Sequence, residues 1–186
     1  MRRTLVFIVA LLAISAADAR AQMSMGSFRG YLTAHLGAIT GPDLTNERLA
    51  AGAAVAVHEP DGWGAELDFG HSSDAVSGLQ VLDVTTYTVS GARVRPSGLV
   101  RPFGLLGAGV VQVNGCNAPC ARAARTYDLG LSGGGGVFVV PHDAFALRAD
   151  VRYFYTSADH VDLRRPENFS FWRVSVGATF IWSITP

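Results

Sequence analysis

Trp172-Arg173-Val174-Ser175-Val176-Gly177-Ala178-Thr179-Phe180-Ile181-Trp182 is a run in which two kinds of residue take turns. The even positions are Trp172, Val174, Val176, Ala178, Phe180 and Trp182, all apolar. The odd positions are Arg173, Ser175, Gly177, Thr179 and Ile181, small or polar except the last. A repeat of two places alternate side chains on opposite faces of an extended chain, so this is a strand between two unlike environments.

The same alternation recurs toward the N-terminus. Phe145, Leu147, Ala149, Val151, Tyr153 and Tyr155 oppose Ala146, Arg148, Asp150, Arg152 and Phe154. Tyr127, Leu129, Leu131, Val137 and Val139 oppose Asp128, Ser132 and several glycines. Ala65, Leu67 and Phe69 oppose Glu66 and Asp68, and Leu49 to Val57 alternates with Arg48 and His58 ending its other face. Phe28, Leu32 and Leu36 alternate with Arg29, Tyr31, Thr33 and His35. Leu82 to Arg95, whose facing the pattern leaves open, and Phe103 to Val113, apolar on both faces apart from Gln112, complete eight segments.

Connections come in two kinds. Pro60-Asp61-Gly62, Pro96-Ser97-Gly98 and Pro141-His142-Asp143 read as tight turns. Thr40 to Asn46, Ser72 to Gly78, Asn114 to Ala124 and Ser157 to Asn168 read as longer loops, and the two kinds strictly alternate. The expected fold is all-β, an eight-stranded antiparallel up-and-down transmembrane barrel, with turns and both chain ends on the periplasmic side. Aromatics expected to point outward sort by depth. Phe28, Trp63, Phe103, Phe145, Phe180 and Trp182 lie near the turns, and Phe69, Tyr127, Tyr153, Tyr155 and Trp172 near the loops. Two such bands are the expected interfacial girdles.

The start of the chain fits this destination. Arg2 and Arg3, the apolar run Leu5 to Ile14 and the small-x-small pattern Ala19-Arg20-Ala21 form a Sec-type signal peptide over residues 1–21, with a second cut possible after Ala19. Residues 22–186 are then one domain, with no cysteine placed for a lipid anchor. The mature segment carries 12 arginines and 14 acidic residues and no lysine, a balance that argues against nucleic acid as a partner. The most apolar uncharged stretch, Phe103 to Ala121, contains four glycines and a proline and is no membrane helix. Only helices and closed barrels satisfy every backbone group in lipid.

Arg101-Pro102-Phe103 followed by Gly107-Ala108-Gly109, together with Ser175-x-Gly177-x-x-Phe180-x-Trp182, gives the pattern a family likeness. The mature chain resembles the small outer-membrane β-barrels that include the transmembrane domain of outer membrane protein A and the opacity proteins, a porin-related group. The resemblance implies that Gly177, Phe180 and Trp182 belong to a C-terminal signal read by the barrel assembly machinery. The family usually ends on its last aromatic residue, whereas Ser183-Ile184-Thr185-Pro186 follows here.

Polar faces turned inward place Arg29, His35, Arg48, Glu66, Asp68, Asp128, Arg148, Asp150, Arg152 and Arg173 in the lumen. An eight-stranded barrel is just wide enough for side chains to fill, so guanidinium and carboxylate groups are expected to pair and plug it. A narrow charged pore is the alternative. Cys116 and Cys120 bracket three residues in the third loop and are expected to form a disulfide in an oxidising compartment, in preference to a metal site. Gly133 to Gly136 lacks a following Lys-Ser or Lys-Thr and reads as a strand segment allowing close packing or bending.

His71, Ser72 and Asp74 form one polar group near a strand end, and Asp159, His160 and Asp162 another in the last loop. Some barrels of this kind are lipid A deacylases using His and Ser, so an enzyme is an alternative, although neighbours in sequence need not meet in space. The leading reading is a structural, envelope-stabilising or surface-interaction barrel, non-enzymatic and without cofactor or metal. Its partners are outer-membrane lipid and lipopolysaccharide, with an unknown surface partner on the loops. A soluble lipocalin-like binder is the remaining alternative.

Overall fold

The computed structural model describes residues 27–41, 44, 47–73, 80–117, 123–157 and 168–184. The eight strands are β1 (Phe28–Thr40), β2 (Arg48–His58), β3 (Trp63–Ser72), β4 (Gln80–Val94), β5 (Val100–Asn117), β6 (Ala123–His142), β7 (Phe145–Ser157) and β8 (Asn168–Ile184). Each pairs antiparallel with its sequence neighbour, and β1 pairs with β8 from Phe28↔Ile184 to Thr40↔Trp172, closing the barrel. Closure removes the open edges of the sheet through the eight-stranded wall, beyond which the loop-side ends of β4 and β6 are paired on one side only. Residues 1–21, read as the signal peptide, lie outside the described residues.

The turns form where their chemistry allows. Gly62 and Gly98 take φ of 94° and 102°, left-handed values that glycine adopts without steric cost. Beside Gly62, the Asp61 side chain accepts the Trp63 backbone N–H at 3.1 Å, opening β3. Between β6 and β7 the register shifts between Val139 and His142, around Pro141, which has no N–H to give the ladder.

Alternation sets the faces. Leu36, Leu49, Leu67, Leu106, Leu129, Leu131 and Val176 are exposed outside. Inside, two apolar clusters sit at opposite ends. Tyr31, Phe103, Leu105, Phe138, Val140 and Ile181 anchor the one nearest the turns. Ile39, Val84, Val111, Val113, Phe154, Phe169 and Phe171 build the one nearest the loops.

Three expectations need correction. Phe103 does not belong to the outer aromatic band: it is 8% exposed and faces the lumen with Arg101 and Leu105, because the outward positions of β5 are Pro102, Gly104 and Leu106. The third loop is shorter than read. β5 and β6 stay paired as far as Cys116↔Ala123, so hydrogen bonding carries polar residues such as Asn114 into the ladder. Arg29 has the inward parity but sits at the turn-side end, where it is exposed and takes no part in the ionic layer described below.

The facing of β4 is also settled. Val84, Thr86, Thr88, Ser90, Ala92 and Val94 are buried inside, while Tyr87 and Val89 are exposed outside.

Candidate functional site

Between the two apolar clusters lies a layer of charge. Arg148 Nη1 donates to Glu66 Oε2 at 2.7 Å and its Nη2 to Oε1 at 3.2 Å, a two-pronged contact. Arg148 Nε also reaches Asp150 Oδ2 at 2.8 Å. Arg152 Nη2 donates to Glu66 Oε1 at 2.5 Å and to Asp150 Oδ2 at 3.1 Å, and its Nη1 lies 3.5 Å from Asp68 Oδ2. Arg173 Nη2 donates to Asp68 Oδ1 at 2.7 Å, and His35 Nε2 stands 3.2 Å from Asp68 Oδ2. Ser175 Oγ donates to Asp150 Oδ1 at 2.5 Å. Three guanidinium groups thus face three carboxylates, so the layer is charge-balanced without a counter-ion.

The pattern of residue types explains how the layer fits. Arg148, Asp150 and Arg152 are successive inward positions of β7, and Glu66 and Asp68 are the same on β3, across the lumen. Small residues on neighbouring strands make the room. A Cβ on Gly52 would strike the His35 ring, and one on Gly70 would strike the Arg173 guanidinium. Phenyl faces then tie the layer to both clusters: Arg148 stacks 4.6 Å from the Phe103 centroid below, and Arg173 stacks 5.3 Å from that of Phe154 above. The paired side chains are 0–3% exposed. Charge this deeply buried is tolerated only when paired, and each guanidinium here meets at least one carboxylate, although Arg152 Nε and Nη1 and Arg173 Nε and Nη1 make no hydrogen bond among the described residues.

Of the other inward charges read from the sequence, Asp128 is buried on β6 and Arg48 is half-buried at the loop end of β2. The sequence reading missed Arg101, buried at the turn end, where its Nε donates to the Gly98 carbonyl at 3.0 Å. It also missed Ser175 as a ligand of Asp150. A serine two residues from an inward arginine on β8 was the available signal.

The other constellations come apart or fall elsewhere. His71 points outward and bonds Thr85 Oγ1 at 2.9 Å, while Ser72 points inward and donates to the Leu49 carbonyl at 2.8 Å. Neighbours on one strand face opposite ways, so this histidine cannot serve that serine. Asp74, Asp159, His160 and Asp162 lie outside the described residues, and so does Cys120; the backbone of Cys116 belongs to β5. Gly134 and Gly136 face inward, and Gly133 and Gly135 face outward, within β6. In the C-terminal motif, Phe180 is exposed outside, Trp182 lies over Gly30, and Gly177 lies inward against Ala34 and His35.

Solved structures repeat this architecture. Neisserial surface protein A is 14% identical, with a TM-score of 0.63 over 83% of this chain and 98% of that one. Ail, the attachment invasion locus protein of Yersinia pestis, is 18% identical, with a TM-score of 0.56 over 86% and 100%. OprG from Pseudomonas aeruginosa is 14% identical, with a TM-score of 0.52 over 86% and 97%. At these identities the likeness is one of fold. No curated protein matches the sequence. The model of the outer membrane protein β-barrel domain matches residues 7–180, most of the chain, and the chain therefore belongs to that family of Gram-negative outer-membrane barrels.

Proposed function

We propose that this protein is a non-conducting, non-enzymatic barrel that stabilises the outer membrane and presents its loop side to surface partners. The observation that carries this reading is the filling of the lumen, with a buried apolar cluster toward each end and an ion-paired layer between them. Purified barrel in planar bilayers is expected to give no reproducible unitary current; regular single-channel steps would overturn the reading. Incubation with lipopolysaccharide is likewise expected to release no acyl chain, since His71 and Ser72 face opposite sides of the wall.

Several finer points belong to the same proposal. Export follows cleavage after Ala21, the turn side and both termini face the periplasm, and Cys116 pairs with Cys120. Lipopolysaccharide surrounds the loop-side aromatic band. The barrel assembly machinery reads Gly177, Phe180 and Trp182. Support comes from the outward exposure of Phe180 at the turn end of β8, where a recognition element is accessible.

A further inference from the structure

The outer face of the wall is largely apolar, yet on its turn side two guanidinium groups break it. Arg93, at the turn end of β4, is exposed outside with its guanidinium 4.8 Å from the Trp63 ring centroid. Arg95, two residues on, is exposed too, and its backbone N–H is held by the Pro102 carbonyl at 2.9 Å. Neither side chain has a carboxylate partner among the described residues. Both line an open groove of about 520 Å³ with Asp61, Pro102 and Gly104. The floor at Gly104 is clear, since a Cβ there would meet nothing nearer than 4.0 Å. Above it on β5 comes Leu106, 74% exposed, so the groove runs from charge into the apolar belt.

We propose that this groove is a site for one phospholipid with an ethanolamine headgroup. Indole rings concentrate at the depth of lipid headgroups, so Trp63 places Arg93 at phosphate level. A phosphodiester there accepts charge-assisted hydrogen bonds from Arg93 and Arg95, two donors that form no salt bridge among the described residues. Asp61 supplies the opposite charge on the same wall and matches a primary ammonium two carbons from the phosphate. A purely anionic headgroup would meet Asp61 as a repulsion, and a trimethylated one could not donate hydrogen bonds to it. The acyl chain lies over Pro102 and Gly104, where no side chain obstructs it.

The test is native mass spectrometry of the folded, full-length mature barrel in detergent with equimolar phosphatidylethanolamine, phosphatidylglycerol and phosphatidylcholine. One retained phosphatidylethanolamine is expected to dominate. Arg93→Gln with Arg95→Gln is expected to reduce retained lipid roughly tenfold, as loss of two solvent-exposed ion pairs implies. Asp61→Asn is expected to abolish the preference among headgroups while keeping lipid bound. Arg95→Gln alone, outside β4, provides a variant whose folding is undisturbed, and it is expected to show a smaller loss of the same kind. Equal retention of the three lipids by the parent, or parental retention by a folded double variant, would overturn the proposal. Neither result depends on whether the lumen conducts.

Discussion

Replacing Arg152 with methionine is expected to lower the unfolding free energy by about 3–5 kcal/mol, the usual cost of breaking a buried ion pair from one side. Arg152 is 0% exposed and touches Glu66, Asp68 and Asp150, so its loss leaves three carboxylates against two guanidinium groups with no water to screen them. Arg29→Gln is the internal comparison. That arginine is exposed at the rim, and its replacement is expected to change stability by no more than about 0.5 kcal/mol. Urea unfolding, scored by the gel mobility of unheated samples, distinguishes the two. Because the layer lies between apolar plugs, added salt should leave the Arg152 effect nearly unchanged. A loss below about 1 kcal/mol would mean that the layer is solvated.

The second large effect concerns glycines on opposite faces of the wall. Gly136 faces inward, and a Cβ there would run into the Ala149 carbonyl and stand 2.8 Å from Asp150 Cα and Cβ. Backbone cannot swing aside as a side chain can, and Asp150 is held by Arg148, Arg152 and Ser175. Gly136→Ala is therefore expected to cost roughly 1–3 kcal/mol, the range for overpacking. Gly91 faces outward, where the nearest atom to a Cβ is the Leu106 carbonyl at 3.9 Å. Gly91→Ala is expected to be neutral or to stabilise by up to about 1 kcal/mol, because the unfolded chain loses freedom. The two variants change the same atoms in the same kind of strand, so their difference isolates the tightness of the inner face. Equal effects in urea unfolding would refute that assignment.

Most of the barrel was legible because lipid outside and paired charge inside impose opposite chemistries on alternate residues. β3, β7 and β8 carry that contrast in nearly every position. β4 does not, because threonine occurs on both of its faces: outward Thr85 is buried against His71, while Thr86 and Thr88 face the lumen. β5 misled in a different way. Both of its faces are apolar, since its inner residues complete the two plugs, and Phe103 could be assigned outward on composition alone. The ionic layer was legible as a set of residues but not as a set of bonds. Which arginine meets which carboxylate depends on strand order around the closed wall: Arg148 and Glu66 are 82 positions apart yet hydrogen-bonded. Arg29 shows the limit of parity, which gives a face but not a depth. The groove at Arg93 was invisible for the same reason, because Asp61, Trp63 and Gly104 meet it only through pairing.

All three tryptophans of the chain provide a direct test of the central claim, that the apolar outer face meets lipid. Trp63 and Trp172 are exposed outside at opposite ends of the wall, and Trp182 lies outside over Gly30. The barrel reconstituted into vesicles of acyl-brominated phospholipid is expected to lose most of its tryptophan fluorescence. Bromines near the headgroup end should quench more than bromines at the bilayer centre. Fluorescence untouched by brominated lipid but strongly quenched by aqueous iodide would place these faces in water and contradict the account.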